Sequence, residues 1–192
     1  MPNVDIVPLA PDLWPALADL FAAGGDPKWC WCQFWRKAGS NWTNTTADDN
    51  RASLEALVGG EPAPGLVAMR DRVAVGWVGL GPREAFGRLE RSRTIPRVEG
   101  EEVWAINCFV VARKERGQGV ADALLEAASD YAIARGARIV EGYPVETEGR
   151  MPSASAYTGT RGMFERAGYS EAARTTSKAS GGRPRVVMRR EV

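Results

Sequence analysis

Residues 103–121, VWAINCFVVARKERGQGVA, join an apolar run to a turn that contains two glycines, and then to the start of an amphipathic pattern. Val103–Val111 predicts a buried strand, because the segment is short, apolar and rich in valine. Residues 118–135 predict a helix, and Gly117 and Gly119 lie in the turn before it. One face of that helix carries Val120, Leu124, Leu125, Ala128 and Ala132.

The turn before this helix has the properties of an anion-binding site. A helix N-terminus presents unpaired backbone N–H groups and the positive end of the helix dipole, and glycine lets an anion approach the main chain without meeting a Cβ. Arg113, Lys114 and Arg116 add positive charge to the same turn. A pyrophosphate would fit there. The alternative is that Gly117 and Gly119 serve only the geometry of a tight turn.

Two other phosphate-binding loops fit these residues less well. A Walker loop requires Gly-Lys-Ser/Thr, which does not follow the glycines. A dinucleotide-binding loop would use Glu141 as the acid that binds the ribose, but it would place Asp122 where a third small residue has to pack against the sheet. A nicotinamide-dependent oxidoreductase is therefore the least favoured of three possible functions.

The segment from Arg116 to Ala121 resembles the R/Q-x-x-G-x-G/A signature of the GNAT superfamily of acyltransferases, on the strand, loop and helix where that family carries it. In the family pattern, the signature is followed by a strand and by a short helix that ends in a turn, and the turn at Phe164–Tyr169 is similar to that one. The resemblance implies a single α+β domain over residues 1–192. Its central sheet would be mixed, mainly antiparallel, splayed at the motif strand and flanked by helices.

The same resemblance implies a function and a set of coenzyme contacts. The activity would be transfer of an acetyl or other short acyl group from acetyl-CoA, or a related acyl-CoA, to a small-molecule or peptide amine by direct attack in a ternary complex, with no metal. A non-catalytic acyl-CoA-binding or sensing domain is the alternative. The implied coenzyme contacts are Phe109, Val110, Val111, Arg113, Lys114, Arg116, Gly117, Gln118, Gly119, Val120, Ala121 and Tyr157.

The catalytic groups depart from the family pattern. The family's frequent thiolate donor is a tyrosine at the position that Phe164 occupies here. Tyr157 is the substitute candidate, as donor or as a contact to the pantetheine; alternatively it packs with its hydroxyl in water. Glu101 and Glu102 are candidates for the base that deprotonates the amine, although acids that flank a strand are more often only solvated. Cys108 lacks a histidine that could activate it as a nucleophile.

An aromatic segment, residues 29–35, falls in the region that lines the acceptor cleft in similar proteins. Trp31, Phe34 and Trp35 are therefore predicted to wall the substrate pocket, with core packing as the alternative. Arg36 nearby favours an apolar or anionic acceptor. Cys30 and Cys32 supply at most two metal ligands, which argues against a zinc site.

Composition excludes several classes of function. The chain has no histidine, so Ser-His and Cys-His nucleophile pairs are absent. A net charge of +1 disfavours nucleic acid as a partner, and no window approaches the ~18 consecutive apolar residues of a membrane helix. Residues 1–5 lack a signal-peptide pattern, and three cysteines are best explained as reduced thiols. We therefore expect a cytoplasmic protein; its oligomeric state stays open, with a homodimer as one option.

The remaining segments predict strands and helices in the order that the family resemblance implies. Residues 82–100 carry arginines with little periodic apolar content, which indicates a solvated loop or a short extra helix. The other predicted elements are a strand over 4–9, a helix after Pro11, a helix from Ala47, a hairpin of 65–69 and 73–80, a strand over 138–145, a helix over 157–166 and a hairpin from Tyr169.

Overall fold

One seven-stranded sheet forms the centre of the computed structural model, which describes residues 2–147 and 156–192. The strands lie in the order β1-β2-β3-β4-β5-β7-β6, and every neighbouring pair is antiparallel except β4 and β5. The α+β fold with a mixed, mainly antiparallel sheet is therefore confirmed. The strands are β1 Asp5–Pro8, β2 Gly65–Arg70, β3 Val73–Pro82, β4 Val103–Val111, β5 Ile139–Gly142, β6 Ser170–Lys178 and β7 Pro184–Glu191.

The sheet splays after the middle of β4. The parallel pairing with β5 runs only from Val103 to Ile106, so the rest of β4 has no partner on that side. On the other side, Ile106 pairs with Leu80 and Cys108 with Gly79, which leaves Asn107 as an extra residue in β4. Because such a bulge bends a strand, it accounts for the divergence of β4 from β5.

Helices cover both faces of the sheet. Alternate side chains of each strand point to opposite faces, so the core residues under α6 and those under α1 form separate groups. On one face α6 packs through Leu124 and Leu125, and on the other α1 packs through Leu17 and Phe21. The helices are α1 Trp14–Ala22, α2 Pro27–Cys30, α3 Ser40–Thr43, α4 Ala47–Glu55, α5 Gly87–Glu90, α6 Val120–Ile133 and α7 Arg161–Arg166.

Two elements near the splay are shorter than the sequence predicts. The strand predicted over 138–145 ends at Gly142, shortly before Pro144, which has no N–H to donate to a neighbouring strand. The helix predicted over 157–166 begins only at Arg161, because the Thr160 side chain accepts a hydrogen bond from the Met163 N–H and caps the helix there. Tyr157 therefore lies in the loop before α7.

The cysteines differ from the expectation of reduced thiols. Cys32, shortly after α2, forms a disulfide with Cys108 of β4, and their Cα atoms are 6.3 Å apart. Cys30 is free and half-buried. The two bonded residues are 76 positions apart, so their proximity depends on the packing of the aromatic segment on the sheet.

In the part of the chain that the structure describes, no helix is both long enough and apolar enough to cross a lipid bilayer.

Candidate functional site

The two glycines before α6 keep the start of that helix open. Gly117 and Gly119 have φ angles of 78° and 79°, in the left-handed region that favours glycine. A Cβ on Gly117 would meet nothing within 4 Å, and one on Gly119 would meet only Pro2 Cδ, at 3.8 Å. The glycines thus provide both the turn and free space beside the backbone, as an anion-binding role requires.

Positive charge is left unpaired around this turn. Arg113, Lys114 and Arg116 are exposed, and no described residue forms an ion pair with them. The two neighbouring acids are each engaged elsewhere: Glu115 pairs with Arg70, and Asp122 pairs with Arg166. The local charge therefore favours an anion at the start of α6.

The free edge of β4 faces the gap between β4 and β5. Ala112 N–H donates to Val75 O of β3. Because backbone hydrogen-bonding groups alternate in direction along a strand, the N–H and C=O groups of Phe109 and Val111 point away from β3, toward the gap. Val111 O accepts from Arg116 Nε at 3.2 Å. Phe109 N–H donates to Tyr157 O at 2.6 Å. A pantetheine that bonds to Phe109 therefore has to replace the Tyr157 carbonyl, while Val110 hydrogen-bonds toward β3.

Tyr157 connects this gap to a cavity of about 620 Å³. Its carbonyl contacts β4, whereas its side chain lines the cavity, with the ring centroid 6.3 Å from that of Phe34. Its hydroxyl accepts from Arg185 Nη2 at 3.3 Å. Burial raises the pKa of Tyr157 to about 12, although Arg185 acts in the opposite direction. The phenol therefore stays protonated at neutral pH.

The two candidate bases lie elsewhere. Glu102 is exposed at the beginning of β4 and pairs with Arg138 at 3.3 Å, and Glu101 precedes it. Glu102 lines a second cavity, of about 350 Å³, that does not include Tyr157. Along the strand, Glu102 and Phe109 are separated by roughly 20 Å. The structure therefore does not bring Glu101 or Glu102 together with Tyr157.

The aromatic segment divides between pocket and core. Phe34 and Trp35 line the larger cavity. Trp31 is only 6% exposed and packs against Trp14 and Phe21 in the core under α1. Arg36 also turns away from the cavity: its Nη2 donates to Pro64 O and Leu80 O, and its guanidinium stacks on Phe86.

The sequence analysis missed a buried ionic cluster around Glu141. This side chain on β5 is completely buried, and its two oxygens accept from Arg83 Nε at 3.1 Å and from Arg189 Nε at 2.7 Å. Tyr143 also donates to it, and burial raises the pKa of that phenol well above its usual value. Glu141 is therefore enclosed by protein, which argues against its use as a ribose-binding acid. The sequence signal that could have predicted this cluster is the position of Glu141 inside an otherwise apolar strand.

The cysteines and acids form no other reactive centre among residues 2–147 and 156–192. Cys108 has no free thiol because it is bonded to Cys32, and burial raises the pKa of Cys30 to about 12. Within these residues no three Cys, Asp or Glu side chains come together as a metal site would require.

Comparison with known proteins adds a family and a set of similar folds. The sequence profile of the acetyltransferase (GNAT) family matches residues 28–168. The chain is similar to the GNAT domain of PAT from S. lividans, at 19% identity and a TM-score of 0.57, over 98% of this chain and 90% of that one. It is also similar to the ribosomal-protein-alanine N-acetyltransferase from Brucella melitensis, at 18% identity and a TM-score of 0.57, over 98% and 99% of the two chains.

A third similar structure is the NatC complex bound to Gag peptide and CoA. Its matching chain is 12% identical, with a TM-score of 0.56 and coverage of 98% of both chains. At these identities the structures show a shared fold. No curated protein sequence matches the chain.

Proposed function

Because the chain belongs to the GNAT acetyltransferase family, we propose that it transfers an acetyl or other short acyl group from acyl-CoA to an amine by direct attack in a ternary complex. The acceptor is a small molecule or a peptide, and the reaction takes place in the cytoplasm. The observation that carries the proposal is the open, positively charged start of α6 beside the free edge of β4.

The residues of this region fit the phosphates and the pantetheine of the donor. The backbone N–H groups of residues 118–121 would hold the pyrophosphate, with Arg113, Lys114 and Arg116 supplying charge. The backbone of Phe109 and Val111 would pair with the pantetheine amides. Because Tyr157 O now bonds to Phe109 N–H, binding of the donor is coupled to a shift of the loop that carries Tyr157.

In the reaction, the amine nitrogen attacks the thioester carbonyl, the C–S bond breaks, and the products are an amide and free CoA thiol. Tyr157 would donate a hydrogen bond or a proton to the departing thiolate, and its protonated phenol supports this role. None of the described residues that line the larger cavity is acidic, so the amine would lose its proton to solvent. Glu101 and Glu102 would take part only through a chain of water molecules.

A non-catalytic acyl-CoA-binding domain is the second candidate. Phe164, at the position of the family's frequent donor, is completely buried and has no acidic group. Release of CoA thiol with any amine of a broad panel separates the two functions, because only the enzyme produces it.

The first test is binding of the donor. We expect acetyl-CoA to raise the melting temperature of the protein, and Gly119→Glu to abolish this rise, because the variant places a carboxylate where the phosphates bind. Gly136→Glu is a matched control. Gly136 also has a positive φ and no neighbour within 4 Å of a Cβ, but it lies beyond the other end of α6.

Two results would contradict the proposal. One is the absence of any shift with saturating acetyl-CoA in the wild type. The other is an equal loss of the shift in Gly119→Glu and Gly136→Glu, which would indicate a general effect of the added charge on the helix.

A further inference from the structure

Arg185 of β7 is a buried cation without an anionic partner in the part of the chain that the structure describes. Its side chain lines the larger cavity although the residue is only 4% exposed. Among the described residues, none hydrogen-bonds to its Nε or Nη1 and none forms an ion pair with it. Its guanidinium carbon lies 5.8 Å from the Trp35 ring and 5.5 Å from the Tyr157 ring. Burying an unpaired charge is costly, so the site is electrostatically incomplete.

The rest of the cavity has the same sign of charge. Arg88, Arg91, Arg93 and Lys178 also line it, and among residues 2–147 and 156–192 no aspartate or glutamate does. Arg88 Nε donates to the Phe34 carbonyl and its guanidinium stacks on the Phe34 ring, so it too lacks an acid among the described residues. A low-dielectric wall with charges of one sign concentrates a ligand of the opposite sign.

A further unused donor and an apolar wall define the shape of the ligand. Trp35 Nε1 is buried, and no residue that the structure describes accepts a hydrogen bond from it. The rings of Phe34 and Trp35 and the side chain of Ile95 supply apolar surface beside it. A cavity of about 620 Å³ is in the usual range for small-molecule sites, so a metabolite with an apolar body and an anionic end fits.

We propose that the acceptor is a small primary amine that also carries an oxyanion group, a carboxylate or a phosphate, which binds to Arg185 at the inner end of this cavity. The inference rests on the proposed acyl transfer. Tyr157 links the two parts of the site, since its hydroxyl contacts Arg185 and its backbone contacts β4. An acceptor anchored on Arg185 therefore directs its amine toward the β4 gap, where the thioester would lie.

Matched pairs of amines test the charge requirement. We expect kcat/KM for L-phenylalanine to exceed that for L-phenylalaninamide by at least about tenfold, the effect of one charge-assisted hydrogen bond. The amine of the amide is the less basic of the two, so intrinsic reactivity at neutral pH opposes this preference. O-Phosphoethanolamine against ethanolamine tests a phosphate in the same way, and the better pair identifies the oxyanion.

Arg185→Met tests the residue, because methionine keeps an apolar side chain between the two rings. The variant should lose the preference for the acid over the amide while the acetyl-CoA thermal shift stays unchanged. Arg72→Met, which removes an exposed arginine in the turn between β2 and β3, should behave as the wild type. Equal use of the two members of both amine pairs by the wild type, or an undiminished preference in Arg185→Met, overturns the inference.

Calorimetry keeps the inference testable if turnover fails. L-Phenylalanine and O-phosphoethanolamine are titrated into the protein with saturating CoA, and at least one should bind about tenfold more weakly to Arg185→Met than to the wild type. Such binding without turnover supports the anion site and contradicts acyl transfer to these amines. If neither compound binds the wild type, the anion site is refuted, whereas the acetyl-CoA shift still decides the proposed function.

Discussion

At the scale of single residues, Tyr157 connects the two halves of the site. A phenol with a pKa of about 12 is a weak acid, yet it is a reliable hydrogen-bond donor to a thiolate at neutral pH. Tyr157→Phe removes the hydroxyl and keeps the ring that packs on Phe34. We expect kcat to fall by about 10²-fold, with the KM for acetyl-CoA nearly unchanged. Steady-state kinetics at pH 7 to 9 measure both constants.

The same variant separates catalysis from positioning. If the hydroxyl only orients Arg185, the KM for the acceptor rises and kcat is retained. Tyr131→Phe is a control on α6, where the Tyr131 hydroxyl accepts from the Ala63 N–H and the side chain does not line the cavity that contains Tyr157. An unchanged kcat in Tyr157→Phe would remove this residue from the catalytic step.

Sequence reasoning predicted those parts of the candidate site that are local in the chain, and it missed those that folding brings together. The signature at Arg116–Ala121 is contiguous, so its glycines and charges could be predicted directly. Arg185 and Glu141 could not, because their partners lie on other strands and in distant loops. Arg36 was favoured for its closeness to the aromatic segment, yet its side chain turns toward Pro64 O and Leu80 O.

At the scale of elements, α7 packs on β5 through a close contact that depends on glycine. A Cβ on Gly142 would lie 2.0 Å from Phe164 Cε1, so the ring occupies the space of a missing side chain. We expect Gly142→Ala to lower the free energy of unfolding by about 1–3 kcal/mol, measured by urea denaturation. Gly162→Ala in α7 is the control, since its nearest neighbour is 3.7 Å away and alanine favours helix.

A double variant tests the assignment of this contact. Phe164→Leu should relieve part of the clash, so Gly142→Ala should cost less in that background, with a coupling energy of about 1 kcal/mol or more. Additive effects would show that Gly142 is required for a reason other than the Phe164 ring.

The bounds of the elements show which signals the sequence carries. The prediction gives both ends of the strand at Val103–Val111 correctly, because the apolar run follows Glu102 and only Ala112 separates it from Arg113. The bulge at Asn107 was not predicted, since it is defined by pairing with β3. The predicted start of α7 is too early, because the Thr160 side chain caps the helix at Arg161.

At the scale of the whole molecule, the Glu141 cluster links the sheet to the segment between β3 and β4. Arg189 of β7 also donates to Glu99 O and Val98 O, at 2.6 and 2.7 Å, and Arg83 also pairs with Glu90. These buried charges anchor residues 83–99 to β5 and β7. The same segment contributes lining residues to both cavities. Their composition alone indicated only a loop or a short helix.

Buried tyrosines make the fold sensitive to alkaline pH. Burial raises the pKa of Tyr169 to about 12, against a value near 10 in an unfolded chain. The stability from the buried neutral phenol is complete below pH 10 and is lost as the pH rises toward 12, because only the unfolded state ionises in that window. By linkage, Tyr169 should account for on the order of 1 kcal/mol of lost stability at pH 11.

Urea denaturation of the wild type and Tyr169→Phe between pH 8 and 11 measures this difference. The variant starts less stable, since it loses the hydrogen bond between the Tyr169 and Ser129 hydroxyls, but its stability should fall less steeply with pH. Parallel curves for the two proteins would show that Tyr169 ionises equally easily in the folded and unfolded states.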